Sequence, residues 1–184
     1  MRRHRARWPV PPAPSSRAST YNDDVRGGSF DETAFFSAIS ASGARALLIG
    51  RRALVLMGLP LLTADYDFWI AVDDIECFNR ALEPFDLIPT ISPEQARQRG
   101  RYVLQNDEHI DVIVARALPL PTGESIVFDH IWTRRQAVSV APDAVVAIPS
   151  LDDLVATKRV GNRPKDVEDI RQLQVLKGSR AGSD

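Results

Sequence analysis

Residues 61 to 72, LLTADYDFWIAV, constrain this chain more than any other stretch, because apolar residues broken at alternate positions by carboxylates describe a strand with two unlike faces. In a strand, successive side chains point to opposite sides. Asp65, Asp67 and Trp69 therefore share one face, and Tyr66, Phe68, Ile70 and Val72 form the apolar other. The segment EHIDVIVA repeats the pattern, with Ile110, Val112 and Val114 on the apolar side and His109 and Asp111 opposite. If the two strands are neighbours, one sheet is greasy below and acidic above, and three carboxylates converge. Clustered anions repel strongly at low dielectric, so such a cluster is stable mainly when a divalent cation neutralises it.

At 184 residues and 44% hydrophobic, the chain is long enough for one domain with a proper core. The expected organisation is a basic, Pro-rich disordered tail over 1–28, a domain over 29–177 and a flexible end over 178–184. Lys and Arg number 23 against 24 Asp and Glu, so no global charge draws the chain to nucleic acid or an anionic membrane. The single cysteine, Cys77, excludes an internal disulfide framework and fits a reducing compartment, the cytoplasm. No apolar run approaches the roughly 20 residues that span a bilayer, and MRRHRARWPVPPAP is followed by no apolar segment that would make it an export signal.

Periodicity predicts a helix opening at Ser29 in an S-x-x-E capping box with Glu32, and a strand over Ala46 to Ile49 that ends at Gly50. A short helix, Arg51 to Met57, stops at the GLP turn. After the Asp65 strand, Asp73 or Asp74 caps a helix through Phe85, Leu87 to Thr90 is a short strand, and Pro93 opens a helix. Arg101 to Gln105 and Glu108 to Arg116 form a hairpin. A helix near Ile126 to Trp132 and strands near Gln136 to Val140 and Val145 to Ile148 follow. Ser150 opens the helix SLDDLVATKRV, and Pro164 starts a last one reaching about Leu176. Together these give an α+β chain: a mixed sheet with helices packed on one face and a C-terminal helical pair.

Magnesium takes oxygen ligands and is held by one or two carboxylates plus substrate phosphates, a task suited to these aspartates. Alone, D-x-D means little, since 17 Asp in 184 residues produce it by chance roughly 1.6 times. Its position on a strand is what raises it. Gly50, between strand and helix, stands where a backbone can approach a phosphate closely. Lys158 falls on the stripe of Leu151, Leu154 and Val155, where it either snorkels to the surface or points into a cleft and meets a triphosphate. Arg159, Arg163 and Lys165 add positive charge nearby, while Asp166 and Asp169 need only complement a helix dipole. Arg97, Arg99 and Arg101 with Tyr102 form a small basic and aromatic patch that fits either a solvated face or a nucleic-acid contact.

Taken in order, LLIGRRALVLMGLPLLTADYDFWIAV, then HIDVIV, then LDDLVATKRVGNRPKDVEDI resemble the minimal nucleotidyltransferases of the DNA polymerase β superfamily, and within it the AbiEii-type toxin-like branch. The match spans about residues 30 to 177. The resemblance implies transfer of a nucleoside monophosphate from an NTP, with two Mg²⁺ ions at Asp65, Asp67 and Asp111. It assigns Asp111 the deprotonation of the attacking hydroxyl, and Lys158 the neutralisation of the triphosphate. Gly50, Arg51, Thr63, Lys158 and Arg159 would bind nucleotide. The implied acceptor is an RNA (a tRNA among them) or a protein, in the toxin half of a toxin–antitoxin or abortive-infection pair with a cognate partner.

Two positions depart from the family pattern. Arg51 replaces the Gly or Ser expected beside the phosphates, and Leu61 stands where a basic residue commonly follows G-x-P. Arg51 either weakens nucleotide binding or itself meets a phosphate. These departures keep open a catalytically silent, antitoxin-like binding module, and the carboxylates with a lysine keep open a metal-dependent nuclease.

Overall fold

The computed structural model describes residues 30–181, so the tail expected over 1–28 and the proposed cap Ser29 lie outside the described residues. The elements run α1 (Glu32–Ala41), β1 (Ala46–Ile49), α2 (Gly50–Leu56), β2 (Tyr66–Ile70), α3 (Ile75–Leu82), β3 (Ile88–Pro89), α4 (Pro93–Arg99), β4 (Arg101–Gln105) and β5 (His109–Ile113). They continue as β6 (Ala117–Pro119), β7 (Ser125–Val127), α5 (Phe128–Thr133), β8 (Gln136–Ala141), β9 (Ala144–Ile148), α6 (Leu151–Gly161) and α7 (Pro164–Ala181). The main sheet has the order β1-β2-β5-β4-β3, with β2 and β5 parallel and the other neighbours antiparallel. It is the mixed α+β sheet expected.

Alternation along the strands sorts the side chains as the sequence predicts. Leu48, Tyr66, Phe68, Ile70, Ile110 and Val112 meet Phe35, Phe36 and Ile39 of α1 and Ile75, Phe78 and Leu82 of α3 in the main core. Phe35 is fully buried within a set of tilted and edge-on rings that includes Phe36, Tyr66 and Phe68. The opposite face is not left bare. Leu47, Ile49, Trp69 and Ala71 pack with Phe128 and Ile131 of α5 into a second, smaller core, so helices cover part of both faces. Trp69, expected beside the aspartates on an acidic face, is fully buried there, and its indole donates to the Ala115 carbonyl at 2.8 Å.

Several local expectations change. Helix α1 is capped by Asp31, whose carboxylate accepts from the Ala34 amide at 2.9 Å. Among the described residues Glu32 accepts from the Tyr66 hydroxyl at 2.9 Å and pairs with Arg52 at 3.3 Å, tying α1 to β2 and α2. Asp74 caps nothing with its side chain and instead takes the amide and Nε of Arg45, both at 2.9 Å. Pro84 lies within a 3-10 turn that follows α3 at Leu82, consistent with its missing amide hydrogen. Strands β6 and β7, three residues each and too short for an alternation signal, form an antiparallel hairpin. Helix α7 runs past Leu176 to Ala181. No helix among the described residues is long and apolar enough to cross a membrane.

Replacing Phe35 by Ala should cost about 3–5 kcal/mol in urea unfolding, whereas Val175→Ala, on an exposed position of α7, should stay within about 0.5 kcal/mol.

Candidate active site

The parallel pairing of β2 with β5 places Asp67 directly opposite Asp111. Cross-strand partners point to the same side, so the two carboxylates stand together at the end of the sheet face that α5 leaves open. Among the described residues no hydrogen-bond donor reaches the Asp67 carboxylate. Burial raises the Asp67 carboxyl above its ordinary range, the charge of Asp111 adds to this, and Lys158 partly offsets it. Asp65 is not part of the strand as the alternation implied. It lies exposed in the preceding loop, where its amide donates to the Thr63 hydroxyl at 3.3 Å. Asp65 and Thr63 nonetheless line the same pocket as Asp67 and Asp111, a polar hollow of about 210 Å³ that also takes in Arg51, His109, Lys158, Arg163 and Lys165. Among the described residues no three carboxylate, imidazole or thiol groups form a ready-made metal cage.

Gly50 packs against this pair from the side. Its φ is +66°, and a Cβ built on it would lie 1.9 Å from Asp67 Oδ2. The sequence therefore requires glycine here for two reasons, a left-handed backbone and the proximity of a carboxylate. Gly50, Asp67, Asp111 and Lys158 also line a second, larger cleft of about 870 Å³ that opens along the sheet toward Ile113 and Arg101. The carboxylate pair thus stands at the junction of a small polar hollow and a broad cleft.

The positive groups are held by acids from α7. Lys158 does not snorkel: it is 5% exposed, and its ammonium donates to Asp169 Oδ2 at 2.7 Å and lies 3.7 Å from Asp166. Arg51 turns the same way and donates its Nε to Asp169 at 3.1 Å. Arg163 grips Asp166 at 2.9 Å. Burial alone pushes the Asp169 carboxyl up, but the hydrogen bonds from Lys158 and Arg51 outweigh it and hold the group below the usual carboxylate range. Arg163 does the same for buried Asp166.

Asp166 and Asp169, for which a helix dipole alone suffices in the sequence, are buried ion partners in the structure. Their i, i+3 spacing on the first turns of α7, just after the helix that carries Lys158 on its buried stripe, is the signal that marks them as inward-facing anchors. Arg159 is not brought to the site. One residue past Lys158, it is turned about 100° round the helix into solvent and lines neither pocket. Leu61 packs half-buried against the main core.

Gly50→Ala should cost about 1–3 kcal/mol, falling to about 1 kcal/mol when Asp67 is also Gly, because only the backbone strain then remains; a double-mutant cycle by denaturant unfolding measures both. Asp169→Asn should cost about 3–5 kcal/mol at neutral pH, since it leaves Lys158 and Arg51 underneutralised. A carboxyl lowered in the folded state stabilises above its unfolded pKa of about 3.9 and ceases to as pH falls. The gap between wild type and Asp169→Asn should therefore be full above about pH 4 and close on further acidification, as unfolding curves across that window will show.

Solved structures share this architecture. A Thermotoga maritima protein assigned as a nucleotidyltransferase aligns at 12% identity over 75% of this chain and 86% of its own, with a TM-score of 0.51. The lincosamide antibiotic adenylyltransferase LnuA, solved with lincomycin bound, aligns at 15% identity over 79% of this chain and 98% of its own, with a TM-score of 0.55. The antibiotic-resistance factor ANT(2'')-Ia aligns at 11% identity over 82% and 89%, with a TM-score of 0.52. No family model matches the sequence, and no curated protein matches it significantly. At these identities the likeness establishes a fold: the chain has the mixed-sheet architecture of the nucleotidyltransferases.

Proposed function

We propose that this chain transfers a nucleoside monophosphate from an NTP to a hydroxyl of an RNA or protein acceptor. The observation that carries the reading is the in-register pair Asp67 and Asp111, with the backbone of Gly50 against it and the ammonium of Lys158 behind it. The fold it shares with an adenylyltransferase adds to this. In the transfer, the acceptor oxygen bonds to the α-phosphorus, the bond from that phosphorus to the α–β bridging oxygen breaks, and pyrophosphate leaves with the electron pair. The hydroxyl proton passes to Asp111.

The donor set fits Mg²⁺. Two carboxylates that repel each other, without hydrogen bonds to Asp67, match the one or two that magnesium takes alongside substrate phosphates, and Asp65 lies within the same hollow. Two such ions, when bound, activate the attacking oxygen and steady the leaving pyrophosphate. Asp65, Asp67 and Asp111 would hold them. Lys158, Arg163 and Lys165 supply positive charge for the triphosphate, and Thr63 sets the loop that carries Asp65. The pairing of Arg51 with Asp169 supports a free approach to Gly50 and weighs against a silent binding module. The motif order supports the further reading that the chain is of the AbiEii type and acts as the cytoplasmic toxin of a two-component pair.

Incubation with each α-labelled NTP, magnesium and cell RNA or protein should yield a labelled product. Asp111→Asn should lower the rate about 10²- to 10⁴-fold with the circular-dichroism melt retained, and Asp67→Ala should abolish transfer. A folded, magnesium-supplied sample that labels no acceptor defeats the reading. Release of nucleotides from RNA without added NTP favours a nuclease instead.

A further inference from the structure

The basic run Arg97, Arg99, Arg101 with Tyr102 divides in the fold. Arg97 is taken by Glu76, whose oxygens accept from its Nη2 at 2.6 and 2.7 Å. Tyr102 is buried, and its hydroxyl donates to Asn79. Arg99 and Arg101 are exposed, and among the described residues neither guanidinium has a hydrogen-bonding or ion-pair partner. Both line the 870 Å³ cleft that reaches Asp67 and Asp111.

Register gives these two cations a direction. On β4, Val103 lies opposite Asp111 and Arg101 opposite Ile113, so Arg101 shares the face of Asp111. It stands two strand positions farther along, about 6.6 Å at 3.3 Å per residue. The other way along β5 lies His109, and there the polar hollow collects Arg163 and Lys165 with Lys158. Lys158 and Arg163 border both spaces, Lys165 lines only the hollow, and Arg99 and Arg101 line only the cleft, so cations occur on both sides of the carboxylate pair. In a transfer with attacking and leaving oxygens roughly in line, donor and acceptor occupy opposite sides of the reacting phosphorus. The hollow with Lys165 and Lys158 meets the donor's triphosphate, so an anion at Arg99 and Arg101, at the far end of the cleft, belongs to the acceptor.

We infer that Arg99 and Arg101 form an acceptor subsite for the phosphodiester next to the reacting terminal hydroxyl, which makes the acceptor a single-stranded nucleic acid and not a protein. This rests on the transferase reading for its chemistry, but binding can be measured without turnover. Exposed guanidiniums suit phosphate oxygens, which they contact in a bidentate manner. Val103 and Ile113 supply apolar wall between the cations and the carboxylates.

The test uses the full chain with a fluorescent RNA of about 12 nucleotides, and DNA of the same sequence, followed by anisotropy over a salt series. Arg99→Ala with Arg101→Ala should weaken RNA binding at least about 10-fold and flatten the slope of log K against log salt by about 1.4, as expected for two lost phosphate contacts on a single strand. Arg97→Ala should bind as wild type, and the KM for NTP in the double variant should stay within about twofold. An equal preference for the DNA keeps the subsite and widens the acceptor to either strand type. Unchanged RNA affinity in the double variant overturns the inference, as does a raised KM for NTP with RNA binding intact, which would give the arginines to the donor. The two readings fail separately. Labelling of a protein at full rate by the double variant removes the subsite and keeps the transferase; binding of RNA through these arginines without any nucleotide transfer does the reverse.

Discussion

Everything at the candidate site depends on one backbone fact, the parallel hydrogen-bonded register that sets Asp67 against Asp111. Slipping that register by one residue would send one carboxylate into the main core and bring Phe68 or Tyr66 out in its place. The register is guarded from below by the buried set Tyr66, Phe68, Ile110 and Val112, whose place in the core leaves no room for a slip. Farther along the upper face, Trp69 is locked under Phe128 and hydrogen-bonded to Ala115. The carboxylates are held in mutual repulsion because the apolar residues around them are worth more in their present places. Gly50 then closes the third side, since no residue with a Cβ fits against Asp67.

The compensating charge comes from the other end of the chain. Helices α6 and α7 bring Lys158, Asp166 and Asp169 into a buried ion cluster, with Arg51 and Arg163 at its edge. Such a cluster adds little stability in itself, because desolvation offsets most of the attraction. What it does is position: it holds the Lys158 ammonium on Asp169 at the edge of the site and draws Arg51 to the same carboxylate. Asp169 thereby competes with Asp67 and Asp111 for the nearby cations, which keeps them from collapsing onto the carboxylate pair.

How much could be read beforehand follows from range. Strand faces, the β4–β5 hairpin, the α6 cap at Ser150 and the glycine at the β1–α2 turn are local, set within a few residues by alternation and turn chemistry. The errors arose where a side chain's partner lies far along the sequence. Glu32 looked like a capping-box acid and binds Tyr66; Asp74 looked like a cap and binds Arg45; Asp169 looked like a dipole partner and binds Lys158 and Arg51. Each of these residues has a good local use, and each was taken by a long-range cation or hydroxyl instead. Arg159 failed in the opposite sense, since nearness in sequence to Lys158 is not nearness in space on a helix.

By itself the sequence determined the mixed α+β class, the apolar and acidic sides of two strands, and the residue types gathered at the candidate site, because these rest on side-chain period and on what carboxylates, glycine and lysine can do. The tertiary structure alone decided that Asp67 and Asp111 are paired while Asp65 stands in the loop before them, that Arg51 and Lys158 are held by Asp169, and that Arg99 and Arg101 have no partner among the described residues where Arg97 has one. The reason is that strand order and helix docking are set by the sum of many distant contacts, whereas the chemistry of a side chain is its own, and only the meeting of the two makes a site.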